Sequence, residues 1–200
     1  RYPVPMPTSD TPSFQLGLSA ELLDTDGNVR FGDIGLEILD DPAIAYRFFE
    51  RDHIVKPEQI AGLDAVIPVH EHYTPELLLQ SPQLLAIICF GVGYDHVDVD
   101  GCTAADVVLC NQRGAGSNAM AESIVVWMLT LAHRVIDKDQ LARQGLWSKA
   151  AEFNGIELRD RTLGIVGLGG VGTRLVEMLQ GFRMNPPIGH DPYVTVEQAA

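Results

Sequence analysis

The chain has 200 residues, of which 46% are hydrophobic and 20% charged, and it carries a formal net charge of −13. This is enough apolar material for one large domain or two small ones, while the negative charge argues against nucleic acid and anionic membrane as partners, because both repel it. The longest unbroken apolar run, LLAIICF at 84–90, is too short to span a bilayer, and the N-terminus lacks the apolar core of a signal peptide, so the expectation is a soluble, cytoplasmic protein.

Residues 1–13 carry four prolines and predict an extended arm. The run FQLGLSAELL follows, then the turn signal DTDGN at 24–28. The spacing of apolar groups in AIAYRFFERDH, 43–53, predicts a helix; PEQIAG predicts another, and LDAVIPV a buried strand. YTPELLLQ opens a well-punctuated helix, with Thr74 as cap, Pro75 at the first helical position and Glu76 facing the positive end of the dipole. SPQLLAIICF leads into a strand, and GVGYDHVDVDGCTAADVVLCN reads as glycine turn, short helix and strand. Alternating strands and helices predict a parallel α/β sheet.

The stretch 117–135, SNAMAESIVVWMLTLAHRV, predicts a long helix that is apolar on nearly every face. Such a helix is covered on more than one side, either at a subunit interface or in a central core. Cys89, Cys102 and Cys110 show no C-x-x-C spacing and read as buried free thiols of a reducing compartment. The chain divides near Asn111, giving expected domains of 1–110 and 111–200.

GLGGVG, 167–172, follows the strand-like TLGIV and opens the amphipathic TRLVEMLQGF. In that setting each glycine has a reason. Gly167 permits the tight turn, Gly169 lets the backbone approach a pyrophosphate, and Gly172 lets the helix pack closely on the sheet. The amides of Gly170, Val171 and Gly172 then face the phosphates, aided by roughly half a positive charge at the helix end. Asp191 stands 19 positions after Gly172, where an acid is expected to accept from the adenosine ribose and to repel a 2′-phosphate, so NAD is preferred to NADP. The other reading is a tight strand-to-helix turn without a ligand. Neither Pro186 nor Pro187 can donate to a ladder, so the second strand is expected to start late, near Ile188, or to lie at an edge.

With these residues in view the chain resembles the D-isomer-specific 2-hydroxyacid dehydrogenase family. The motifs are FGVGYDHVD (90–98), NQRGAGSNAMAE (111–122), LRDRTLGIVGLGGVG (158–172) and GHDPY (189–193). The resemblance implies a flavodoxin-like substrate domain before Asn111. After it comes an incomplete Rossmann domain, a doubly wound parallel sheet that holds NAD. It also implies homodimers joined through the 117–135 region, and backbone amides of Val92 and Gly93 beside a substrate carboxylate. The substrate would be a small 2-hydroxy or 2-keto acid. A glycine-flanked loop after a buried strand suits that anion, although the same residues also make a plain turn.

The departures are specific. Family members usually have a proline near Arg113 and a glycine near Arg183, and the stretch from Gly172 to Asp191 is one residue long by comparison. The family's catalytic arginine, glutamate and histidine lie well downstream of the ribose acid, whereas the sequence ends nine residues after Asp191. No catalytic residue is therefore assigned. The leading expectation is the N-terminal portion of an NAD-dependent oxidoreductase. The rivals are a non-catalytic NAD-binding or dimerisation module of the same fold, and a defective product that binds nothing well.

The other candidates are weaker. His70 and His72 flank Glu71 and would share one face of a strand, which invites a metal, but no third ligand is evident and no metal is assigned. His96 follows the GVGYD loop and reads as a surface or capping residue, and His190 belongs to the adenine end. No Ser–His–Asp or Cys–His arrangement is legible, nor any matched carboxylate pair for acid–base work.

Overall fold

The computed structural model describes residues 14–50, 52–195 and 197. The expected N-terminal arm lies outside the described residues. Contacts divide the chain into two units, Arg1–Arg113 and Gly114–Ala200.

The first unit is built on five strands, β1 (Phe14–Ser19), β2 (Ile44–Phe49), β3 (Ala65–Ile67), β4 (Ala86–Ile88) and β5 (Val108–Cys110). They lie in the order β2-β1-β3-β4-β5, and every pair is parallel. This is the flavodoxin-like order, in which the sequence of strand placement reverses between β1 and β3. Three short helices, α1 (Pro57–Ile60), α2 (Pro75–Leu79) and α3 (Val99–Ala104), serve the crossovers. Neighbouring strand residues go to opposite faces. Val66 and Ile87 join a cluster with Tyr73, Leu78 and Val97, whereas Ala65 packs with Leu16, Leu18 and Leu22. Both faces are thus covered, as a parallel sheet requires.

The caps follow the sequence. Thr74 Oγ1 accepts from the Leu77 amide at 3.3 Å, with Pro75 at the first helical position, and Asp98 Oδ1 accepts from the Gly101 amide at 2.6 Å. The expected helix at 43–53 is not formed. Ile44–Phe49 is strand β2, paired residue for residue with β1. Apolar side chains fall on both of its faces, and that imitates helical spacing.

The second unit holds a two-stranded parallel sheet, β6 (Thr162–Val166) and β7 (Asn185–His190), joined by α6 (Gly170–Leu179). The long helix α4 (Ser117–Ala132) packs on α6 through Ala121, Ile124, Val125 and Met128 against Leu175 and Leu179. It ends where Arg134 takes a left-handed φ of 52°, and α5 (Val135–Arg143) continues at an angle. No single helix among the described residues is long and apolar enough to cross a membrane.

Strand β7 begins at Asn185 rather than at Ile188 and, among the described residues, pairs only with β6, so the edge alternative is the one the structure shows. Thr162 pairs with Asn185 and Gly164 with Ile188, so two steps along β6 match three along β7. A bulge therefore takes up one residue at Pro186–Pro187. The prolines sit where the ladder is already interrupted, which is where residues lacking an N–H are tolerated. The cysteines are all free; Cys89 and Cys102 are buried and Cys110 is exposed.

Candidate functional sites

Gly167 leaves β6 with φ +98°, a conformation that favours glycine. Its amide donates to the His190 carbonyl at 2.8 Å. The next amide, Leu168 N–H, donates to Asp191 Oδ2 at 2.7 Å. These two bonds fasten the turn to the end of β7. The Tyr193 amide donates to Asp191 Oδ1 at 2.8 Å. Donation from Leu168, then from Tyr193, holds the Asp191 carboxyl below its ordinary range and keeps it ionised.

Helix α6 starts at Gly170 with no side-chain cap, and its first turn bond runs from Thr173 N–H to the Gly169 carbonyl at 3.0 Å. The amides of Gly170, Val171 and Gly172 have no partner among the described residues, as the first turn of a helix leaves them. A Cβ on Gly172 would collide with the Gly167 carbonyl, and one on Gly170 would stand 2.8 Å from Ser117 Oγ. A Cβ on Gly169 would meet nothing within 4 Å. Gly172 is thus required by packing, while Gly169 faces open space beside three free donors. The residues present fit a pyrophosphate: backbone donors at a helix N-terminus and an ionised acid at the neighbouring strand end.

In the first unit, the loop after β4 carries Val92 and Gly93. It is held from behind. The Gln112 amide donates to the Gly91 carbonyl at 3.1 Å and Asn111 Nδ2 donates to the Val92 carbonyl at 2.8 Å. The carbonyls are engaged, and the amides of Val92 and Gly93 have no partner among the described residues. Both residues are exposed.

A polar network ties the ends of β1 and β3. Glu71 is buried, with 1% exposure. It accepts from Ser19 Oγ and from the amides of Val69 (2.9 Å) and His70 (3.2 Å). Ser19 Oγ in turn accepts from the Glu21 amide at 3.0 Å, and Glu21 Oε2 lies 2.8 Å from His70 Nδ1. Sequence reasoning noticed His70, Glu71 and His72 but missed Ser19 and Glu21, about fifty residues earlier. The clue was an acid between a buried strand and a helix, a position that needs donors from elsewhere in the fold.

The two histidines do not share a ligand position. His70 turns to Glu21, while His72 stacks on His53 with ring centroids 4.5 Å apart. Among the described residues no group of three or more His, Cys, Asp or Glu side chains is arranged to hold a metal. His96 is half-buried with Nε2 3.8 Å from Cys89 Sγ; burial, then the nearby His70 and His72, lowers its pKa.

A parallel strand–turn–helix–strand unit with three free amides at the helix start and an acid at the second strand's end has the parts of a dinucleotide-binding unit. Residues 125–200 match the family model described as D-isomer specific 2-hydroxyacid dehydrogenase, NAD binding domain. A glyoxylate reductase of Thermococcus litoralis is 32% identical over 134 residues, covering 64% of this chain and 40% of the relative. A D-3-phosphoglycerate dehydrogenase of Archaeoglobus fulgidus is 29% identical over 150 residues, covering 74% of this chain and 28% of the relative. Among solved structures, the NAD+-bound 3-phosphoglycerate dehydrogenase of Entamoeba histolytica superposes with a TM-score of 0.68 at 26% identity, over 93% of this chain and 56% of that one. Through residues 125–200 and these relatives, the chain is similar to the D-isomer specific 2-hydroxyacid dehydrogenase family. It spans well under half the length of these two sequence relatives.

Proposed function

We propose that this chain supplies the coenzyme cradle and the substrate-carboxylate anchor of an NAD-dependent oxidoreductase acting on a small 2-hydroxy or 2-keto acid. The observation that carries the reading is the open start of α6: the amides of Gly170, Val171 and Gly172 lack partners beside a turn fastened to Asp191. Gly167, Gly169 and Gly172 shape the turn, the three amides hold the pyrophosphate, and the ionised Asp191 accepts from the ribose hydroxyls. When bound, the nicotinamide supplies a hydride acceptor or donor. The amides of Val92 and Gly93 hold the substrate carboxylate, as free backbone donors in an exposed loop are suited to do. Residues 1–110 form the substrate part and 111–200 the coenzyme part. No residue of this chain is given the proton-transfer role.

Calorimetric titration with NAD tests the cradle, and absorbance at 340 nm with NADH and 2-keto acids tests turnover. Binding without turnover is expected from the 200 residues by themselves. Failure to bind NAD overturns the proposal, and turnover shows that a proton-transfer group stands among these residues. A non-catalytic NAD-binding module of the same fold shares the binding result and is excluded once a longer form of the protein turns over a 2-keto acid.

The assembly we propose is a homodimer through the 117–135 region. One face of α4 packs on α6, yet Trp127 is 71% and Leu131 73% exposed, with Met120 and Val126 also open. A helix so apolar on its outer face favours a covering partner, and a second copy presents a matching apolar face. The free thiols of Cys89, Cys102 and Cys110 suit a cytoplasmic location.

A further inference from the structure

Two helix starts meet in the second unit. Ser117 is the first residue of α4 and Gly170 the first of α6. A Cβ on Gly170 would stand 2.8 Å from Ser117 Oγ and 3.7 Å from Ser117 Cβ. The two helices pack on one another, with Ala121 and Ile124 of α4 in one cluster with Leu175 and Leu179 of α6. The contact between first residues therefore brings both amino ends to the same place. In a helix each Cα–Cβ bond leans toward the N-terminus. The space that a side chain at 170 would fill thus lies at the mouth of α6, on the side to which its free amides point. Ser117 Oγ borders that space.

Neither helix start is capped by a side chain. The amides of Asn118 and Ala119 have no partner among the described residues, like those of Gly170, Val171 and Gly172. Ser117 is half-buried, and its hydroxyl makes no hydrogen bond among the described residues. A hydroxyl has one proton to donate, and each helix start adds roughly half a positive charge. An anion of two linked phosphates suits two such donor groups set side by side.

We propose that Ser117 donates its hydroxyl to the coenzyme's pyrophosphate, so that the starts of two helices, α4 and α6, hold the anion together. The inference rests on the coenzyme reading above and adds to it a residue about fifty positions before the glycine motif. It also gives Gly170 a reason of its own: any side chain there enters the space beside Ser117 Oγ.

The 200-residue protein and its Ser117→Ala and Ser117→Asp variants are titrated with NAD by calorimetry and with adenosine, which has no phosphate, by NMR. Urea midpoints are measured alongside. Ser117→Ala removes one hydrogen bond to a charged group and is expected to weaken NAD about tenfold. Adenosine binding and the urea midpoint are expected to stay unchanged, because the hydroxyl has no partner in the protein. Ser117→Asp places a negative charge in the first turn of α4, where the helix dipole favours it. It is expected to keep or raise the midpoint and to weaken NAD further than alanine does. The proposal is overturned if Ser117→Ala weakens adenosine as much as NAD, or if either variant loses NAD only in step with a fallen midpoint. NAD binding that neither substitution changes removes Ser117 from the site and leaves the α6 cradle standing. An unaltered protein that binds no NAD removes both readings.

Discussion

The amide of Leu168 donates to Asp191 Oδ2 at 2.7 Å, so the middle of the glycine turn is bonded to the acid that ends the next strand. One carboxylate therefore fixes the turn and, in the proposed function, also accepts from the ribose. Asp191→Asn keeps the shape and removes the charge. Hydrogen bonds to charged groups contribute about 1.5–3 kcal/mol, so NAD affinity is expected to fall roughly 10- to 100-fold. NADP, freed from the repulsion, is expected to lose less. Titration of both coenzymes against the variant checks the ratio; an unchanged preference for NAD counts against Asp191 as the discriminating group.

Gly169 and Gly172 separate ligand from fold. A methyl at 172 collides with the Gly167 carbonyl, so Gly172→Ala is expected to cost about 1–3 kcal/mol of stability. At 169 a methyl meets no protein atom within 4 Å and φ is −73°, so Gly169→Ala is expected to fold normally and to bind NAD poorly. Urea unfolding alongside calorimetry reads both effects.

His96 gives the first unit an acid sensitivity. Burial, and then His70 and His72, depress its folded pKa below histidine's ordinary value of about 6.5. A depressed pKa in the folded state means that the unfolded chain binds the proton first. The associated stability is present above about pH 6.5 and is lost as pH falls through the lower folded value. The melting temperature is expected to drop between pH 7 and pH 5, and His96→Asn flattens that part of the profile.

Arg183 occupies a left-handed position, φ 55°, at the end of a short 3-10 turn. For a residue with a Cβ that conformation costs about 1–2 kcal/mol. Arg183→Gly is expected to raise stability by about 1 kcal/mol, after glycine's own entropic cost is allowed for. Chemical denaturation midpoints provide the measurement.

Trp127→Glu, at an exposed position of α4, tests the proposed dimer. It is expected to turn a dimer into a soluble monomer in sedimentation velocity, with the far-ultraviolet spectrum unchanged. A wild-type chain that sediments as a monomer at micromolar concentration removes the dimer proposal.

Much of this fold was legible because local chemistry agrees with it. Thr74–Pro75 and Asp98 mark helix starts by capping, Gly167 answers a turn and Gly172 close packing. Residues 44–49 were misread because a parallel strand with apolar groups on both faces loses its alternation. The pairing of Glu21 with His70, and of Ser19 with Glu71, spans about fifty residues. No local periodicity carries it; the crossover that brings β1 beside β3 creates it. The free amides of Val92 and Gly93 are likewise visible only once Asn111 and Gln112 are seen to hold the loop's carbonyls.

The bulge at Pro186–Pro187 has a wider consequence. The surplus residue is consumed before Ile188, and from there Ile165 faces Gly189 and Val166 faces His190 in regular register. The acid therefore arrives beside the turn although this connection carries one residue more than an even ladder would use. The bulge is where length is taken up without disturbing the bond between Leu168 and Asp191.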